Sequence, residues 1–272
     1  MITENPDMKG LPNTLSRSFF IDTHSHMYSE EFDGERAEAV ERSKESGVCR
    51  LILPDIDRIS RKRMLSFEDE FPGYSEVMVG LHPESVTEDY GKELKDIEKL
   101  LSERTFCGIG EIGIDLYWDT SRYKEQVEAF EYQLGIARDA SLPVSIHSRK
   151  SIDEIFKSLR KFKGVRGVLH CFSGDTEQAK RAADMGLYIG VGGVVTFKNA
   201  RLAQVVKECG IGWTVLETDA PYLAPVPFRG KRNESSYIPV IAEFIAGLTG
   251  LSVKEVARTT TQNASELFKI DL

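Results

Sequence analysis

The chain has 272 residues, 41% of them apolar, with a formal charge of −8 and a pI of about 5.3. That apolar content can build a large core, and the acidity excludes a protein that coats nucleic acid through a basic surface. A nuclease stays open if cations gather at one cleft.

Residues 1–18 are polar, contain Pro6, Gly10 and Pro12, and have no apolar h-region, so they read as a loosely ordered extension rather than a signal peptide. Strand–helix alternation begins at Phe19. Short β-rich runs fall at 19–22, 50–53, 76–80, 106–110, 143–146, 167–169, 187–190 and 213–216. Their starts average about 28 residues apart, room for a strand, a helix and two short loops. Leu94, Ile97, Leu100 and Leu101 form a helical stripe within 92–103. Val127, Phe130, Leu134 and Ala137 do so within 123–140, with Pro143 as a stop. Ile152, Ile155, Phe156 and Leu159 mark another helix. Two more are expected at 236–248 and 252–268, the second opening on a Ser252–Glu255 capping box.

Apolar strands that do not alternate imply a parallel sheet covered by helices. Eight units favour closure, so the expected fold is α/β: a (β/α)8 TIM barrel, a single domain over residues 19–272. Cys49, Cys107, Cys171 and Cys209 are dispersed, without a CxxC pair, and read as reduced thiols with the first three buried. No apolar run approaches the ~20 residues needed to cross a bilayer. A cytoplasmic protein with no membrane association and no obligate protein partner is expected.

The five histidines carry most of the chemistry. His24 and His26 follow the first strand, His82 the third, His147 the fifth and His170 the sixth. Glu111 ends the fourth strand and Asp219 the eighth. Barrel enzymes build their sites on this carboxyl-terminal rim. A lone His-x-His is a weak signal, and a carboxylate after a strand is often only a helix N-cap. Ligand-type residues after six different strands make independent coincidence a poor explanation. Residues two apart on a strand face the same way, so His24 and His26 can grip one cation, with Asp219 alongside once the barrel closes. Glu111 can bridge to a second cation shared by His147 and His170. Two such ions suit hydrolysis of a phosphoester. Mg2+ or Mn2+ is expected for activity, and the histidines also suit Zn2+. Glu111, Asp219 and His82 are the candidate catalytic residues. His82 is needed for neither ion and can orient or protonate substrate, or hold its loop. Arg149, Arg229, Lys231 and Arg232 are candidate phosphate-binding residues, although a charge run is usually a solvated face. Tyr222 and Phe228 can stack on bases or pack within their loop.

Six runs carry a family resemblance: DTHSH at 22–26, GLHP at 80–83, GEIGID at 110–115, IHSR at 146–149, LHCFSG at 169–174 and ETDAPYLAPVPFRGKRNE at 217–234. Their content and order resemble the TatD family of metal-dependent deoxyribonucleases. The resemblance implies a Mg2+-dependent exonuclease acting on DNA, single-stranded DNA foremost, by two-metal-assisted water attack. It matches His24, His26, Glu111 and Asp219 to one metal site, and Glu111, His147 and His170 to the other. Where the family often has a second histidine after the His-Pro pair, this chain has Glu84. The alternative is an amidohydrolase-like metal hydrolase acting on a small amide, lactone or phosphoester. Many such barrels bridge their metals with a carboxylated lysine, and Glu111 in that position argues against it. A non-catalytic binding module would not require the full ligand set.

Overall fold

The fold was obtained as a computed structural model, which describes residues 19–118 and 120–271. The expected extension at 1–18 lies outside the described residues. Eight parallel strands follow one another in sequence order: β1 (Phe20–Asp22), β2 (Val48–Leu53), β3 (Ser75–Val79), β4 (Gly108–Asp115), β5 (Val144–Arg149), β6 (Gly167–Leu169), β7 (Leu187–Val191) and β8 (Thr214–Leu216). A helix follows each of the first seven: α1 (Arg36–Glu45), α2 (Arg58–Glu70), α3 (Tyr90–Glu103), α4 (Tyr123–Ala140), α5 (Ile152–Leu159), α6 (Thr176–Asp184) and α7 (Arg201–Cys209). Two close the chain, α8 (Ile238–Thr249) and α9 (Val253–Phe268). The last strand meets the first through Thr23 N–H to Leu216 O at 3.0 Å, Asp219 N–H to His24 O at 2.9 Å and His26 N–H to Ala220 O at 2.7 Å. The sheet is a (β/α)8 barrel.

Strand alternation divides the core in two. Leu51, Val79, Ile109, Val144, Leu169 and Ile189 turn outward onto the helices. Ile21, Ile52, Met78, Val168, Tyr188 and Val215 turn inward and meet Leu267 and Phe268 of α9. Each fully buried aliphatic or Phe side chain contributes ~1.5–3 kcal/mol. The Ser252–Glu255 capping box is present at the start of α9, and Asp57–Ser60 and Asp175–Gln178 form equivalent boxes on α2 and α6. Cys49, Cys107 and Cys171 are half-buried rather than buried, and Cys209 is exposed. No single helix among the described residues is long and apolar enough to cross a membrane.

Two strands run well past the ends expected from the sequence. β4 does not stop at Glu111 but runs to Asp115, and β5 continues through His147 to Arg149, because these two strands pair beyond the rest of the rim. β8 stops at Leu216. Asp219 lies in the following loop with a left-handed φ of 56°, a conformation Asp tolerates better than most residues.

Candidate metal centre

The inward parity of the strands delivers most of the site. His147 stands two residues beyond Ser145, His170 two beyond Val168, and Glu217 and Asp219 two and four beyond Val215. β1 ends before its histidines. Ser25 forms a bridge with Ala220, so the segment carries the strand direction on, and His24 and His26 stay on one face. Glu111 does not follow from alternation. The β4–β5 register shifts between Ile109 and Ile112, and this irregularity turns Glu111 into the barrel mouth.

Glu111 is 3% exposed and divides its two oxygens. Oε2 lies 3.2 Å from His24 Nε2 and 3.8 Å from His26 Nε2. Oε1 lies 2.8 Å from His147 Nδ1, 3.3 Å from His170 Nε2 and 3.5 Å from His82 Nε2. The His24 and His26 Nε2 atoms are 3.2 Å apart, and Asp219 Oδ1 is 3.6 Å from His26 Nε2. Metal–ligand bonds near 2.1 Å would put neighbouring donor atoms ~3.0–3.4 Å apart, so these separations fit a cation among them. Grouped by donor atoms, His24, His26 and Asp219 form one set. His24, Glu111 and His170 form a second, and His82, Glu111 and His147 a third. His147 and His170 fall in different sets, each with Glu111, whose Oε1 faces both; their rings are 6.3 Å apart, while His170 stacks on His24 at 3.5 Å.

The far ring nitrogens of His24, His26 and His147 are hydrogen-bonded to another group, and that of His170 lies against a carboxylate. His24 Nδ1 meets Ser145 Oγ at 3.1 Å. His26 Nδ1 meets the Tyr28 hydroxyl at 2.8 Å, and that hydroxyl donates to Pro54 O. His147 Nε2 meets Asp115 Oδ2 at 2.9 Å, and His170 Nδ1 lies 3.3 Å from Glu217 Oε1. Such partners fix ring orientation and leave the near nitrogen facing the centre. His82 differs. Its Nδ1 accepts the Glu84 N–H at 3.1 Å, so in the neutral ring the proton sits on Nε2, facing Glu111 and His147.

The electrostatics describe a carboxylate that gathers positive charge. Burial would raise Glu111, but His170, His82 and His24 hold it well below the usual carboxylate range. Burial would lower His170, yet Glu111 and Glu217 carry it to about 10. Burial likewise opposes charge on His147, which bonds to Asp115 and Glu111 raise to about 9. Burial pushes His26 down to about 4 and His24 well below its ordinary value. Burial lifts Asp219 to about 7, with His170 opposing. Asp115 falls to about 2, because bonds from His147 and the backbone of Tyr117 and Trp118 outweigh burial.

Sequence reasoning missed Asp115, Glu217 and Asp22 as members of this network. Asp115 and Glu217 share the parity of the residues they hold, which was the available signal. Gly190 admits Glu217: a Cβ there would lie 2.1 Å from Glu217 Oε2. Asp22 accepts from Thr218 and Ser235, tying the first strand to the loop after the last.

Among the expected phosphate residues, Arg149 stands beside the centre. It lines a cavity of about 260 Å³ with His147, His170, Cys171 and Asp219. Arg232 is engaged with Glu31 O and the Glu35 carboxylate and lies over Phe32. Arg229 covers Phe197, and Lys231 is 5.8 Å from Phe228. Phe228 stacks on Tyr237, while Tyr222 is exposed. In the same segment Asn233 donates to Thr218 O and Tyr222 O, so it staples the Asp219 loop. Glu84 is exposed and stands with Asp115 and His147 in a fourth set of ligand-type atoms.

Comparison with known proteins places this barrel and its histidine–carboxylate centre among the metal-dependent hydrolases. A family described as TatD related DNase matches residues 21–269, and the chain belongs to that family. It is 37% identical over 254 residues to YabD of Bacillus subtilis, described as an uncharacterized metal-dependent hydrolase, covering 92% of this chain and 99% of that protein. It is 29% identical over 258 residues to a protein of Erwinia billingiae named 3'-5' ssDNA/RNA exonuclease TatD, covering 92% and 99%. The crystal structure of the Escherichia coli TatD homologue YjjV superposes with a TM-score of 0.87 at 28% identity, over 94% of this chain and all of that one.

Proposed function

We propose that the chain hydrolyses phosphodiester bonds in DNA, working on single strands from an end, with two divalent cations held at the rim. The observation that carries this reading is Glu111, whose two oxygens face separate sets of imidazole nitrogens. His24, His26, Glu111 and Asp219 would hold one cation, and Glu111, His147 and His170 the other. When bound, the cations would make the attacking water more acidic and offset charge on the phosphoryl and leaving oxygens. Asp219, beside the first cation, would accept the proton from the attacking water. His82 serves the substrate side, because its Nε2–H is a donor and its lone pair is already used by Glu84 N–H. Arg149, at the edge of the cavity, seats a phosphate. The name of the Erwinia billingiae relative supports the choice of a single strand as substrate.

Incubation with Mg2+ or Mn2+ and end-labelled single- and double-stranded DNA and RNA tests the reading. Progressive shortening of single-stranded DNA is expected, abolished by EDTA. Turnover confined to small amides or lactones would overturn it.

A further inference from the structure

We propose that Tyr117 and Trp118, with Arg149 and Lys150, form a subsite that takes an unpaired nucleotide of the single strand by stacking its base; this rests on the reading above. Tyr117 is 46% exposed and Trp118 64%, an unusual amount of aromatic surface to leave in water at one place. Their rings stand edge to face, with centroids 4.8 Å apart. The Arg149 guanidinium lies 4.1 Å from the Tyr117 centroid and 5.1 Å from that of Trp118, and Lys150 Nζ is 4.8 Å from Tyr117. Neither cation has an ion-pair partner among the described residues, in a chain of net charge −8. Aromatic faces beside cations are what an unpaired nucleotide requires: a stacking surface for the base and a counter-charge for its phosphate.

Position ties this surface to the centre. Asp115 accepts the Tyr117 and Trp118 backbone N–H groups through Oδ1 at 2.7 and 3.1 Å, while its Oδ2 holds His147. The carboxylate that orients a candidate ligand thus also sets the aromatic loop. Tyr117, Arg149, Lys150 and Ser173 line a groove of about 490 Å³, and Arg149 and Ser173 also line the cavity that contains His147, His170 and Asp219. One strand can therefore pass from Tyr117 to the centre along a continuous surface, with Trp118 at its edge, bordering a neighbouring cavity with Glu84, Asp115 and Arg122. Asp153 and Glu154 line the same groove, which disfavours a long polyanion track and limits the subsite to the stretch around Arg149. A duplex, whose bases are paired and stacked internally, cannot offer the base.

The test is binding of a phosphorothioate oligothymidylate, which resists hydrolysis, to the metal-loaded protein carrying Trp213→Phe. The chain has two tryptophans, and this change leaves Trp118 as the sole reporter. Trp213 immediately precedes β8, at the opposite end of the barrel. Binding should quench Trp118. In anisotropy titrations, Tyr117→Ala and Trp118→Ala should each weaken affinity about tenfold. Tyr132→Ala, an exposed tyrosine on α4, should leave affinity unchanged. Wild-type protein that does not bind, both aromatic variants binding as wild type, or a duplex of the same length competing equally would each overturn the subsite. Binding through Tyr117 and Trp118 without cleavage of unmodified DNA would sustain the subsite and sink the hydrolytic reading. Cleavage of unmodified DNA with affinity indifferent to both substitutions would sink the subsite alone.

Discussion

The backbone N–H of Glu84 decides what His82 can do. By occupying Nδ1 it places the ring proton on Nε2, 3.5 Å from Glu111, so His82 faces the centre as a donor. The other four histidines present their near nitrogens with the far ones taken or flanked by Ser145, Tyr28, Asp115 and Glu217. One residue type therefore fills two roles, separated by a hydrogen bond rather than by sequence. His82→Ala should keep the wild-type metal content, read by elemental analysis, and lower kcat by about 10²–10⁴-fold, the usual range for a lost acid–base group. Loss of metal in this variant would make His82 a ligand instead. No spacing rule foretells such a distinction, because it depends on a three-residue turn, Pro83–Ser85, that His82 itself caps.

At the scale of elements, the periodicities carried far. The 3.6 period and turn residues foretold α4 at Tyr123–Ala140 with its expected ends, and the capping box foretold the start of α9. The two-residue period foretold that His24 and His26 face the same way. It could not foretell β4, where the shift between Ile109 and Ile112 breaks the alternation at Glu111, nor the longer reach of β4 and β5 that raises Tyr117 beside Arg149. The segment after Asp219 shows the converse. Its cations suggested phosphate, but its neighbours in space claim it: Arg232 goes to Glu35, Asn233 to the loop backbone and Glu234 to Arg42 of α1. The Arg42–Glu234 pair joins α1 to the approach to α8 through two bonds of 2.9 and 2.6 Å. Burial would raise Glu234, but Arg42 and Ser236 hold it below its ordinary value. A depressed carboxylate stabilises the fold fully above its unfolded pKa, ~4.3 for Glu, and loses that contribution as pH falls through the lower folded value. Arg42→Met should therefore cost about 1 kcal/mol near neutral pH, and the penalty should fade below about pH 4. Urea titrations of both proteins across this range check the sign. A difference that stays constant to pH 3 would contradict it.

Across the whole molecule, closure of the barrel turns a dispersed sequence pattern into a site. His24 and Asp219 are 195 positions apart in the chain, yet Asp219 N–H donates to His24 O because β1 and β8 are the two ends of one sheet. The eight strand–helix units were legible in the sequence because each strand is an apolar run at regular spacing. The convergence of the polar residues was legible because rim positions of a barrel meet by construction. Asp115, Glu217, Tyr117 and Trp118 were not, since their roles depend on neighbours supplied by other strands. The fold gathers donor atoms of His24, His26, Glu111, His147, His170 and Asp219 that the unfolded chain scatters, so divalent cations should bind the folded chain in preference to the unfolded one. At about one hundred times Kd, Mn2+ should stabilise the protein by ~2.7 kcal/mol, a rise in Tm of roughly 5–10 °C. Scanning calorimetry with and without EDTA would show it, and an unchanged Tm would contradict it.

The most direct measurement is metal stoichiometry and nuclease rate of Glu111→Ala beside the wild type, with circular dichroism to verify the fold. The account predicts two ions per wild-type chain, loss of ions in the folded variant and a turnover on single-stranded DNA lower by orders of magnitude. A folded variant that keeps both ions and cleaves at nearly the wild-type rate would contradict it.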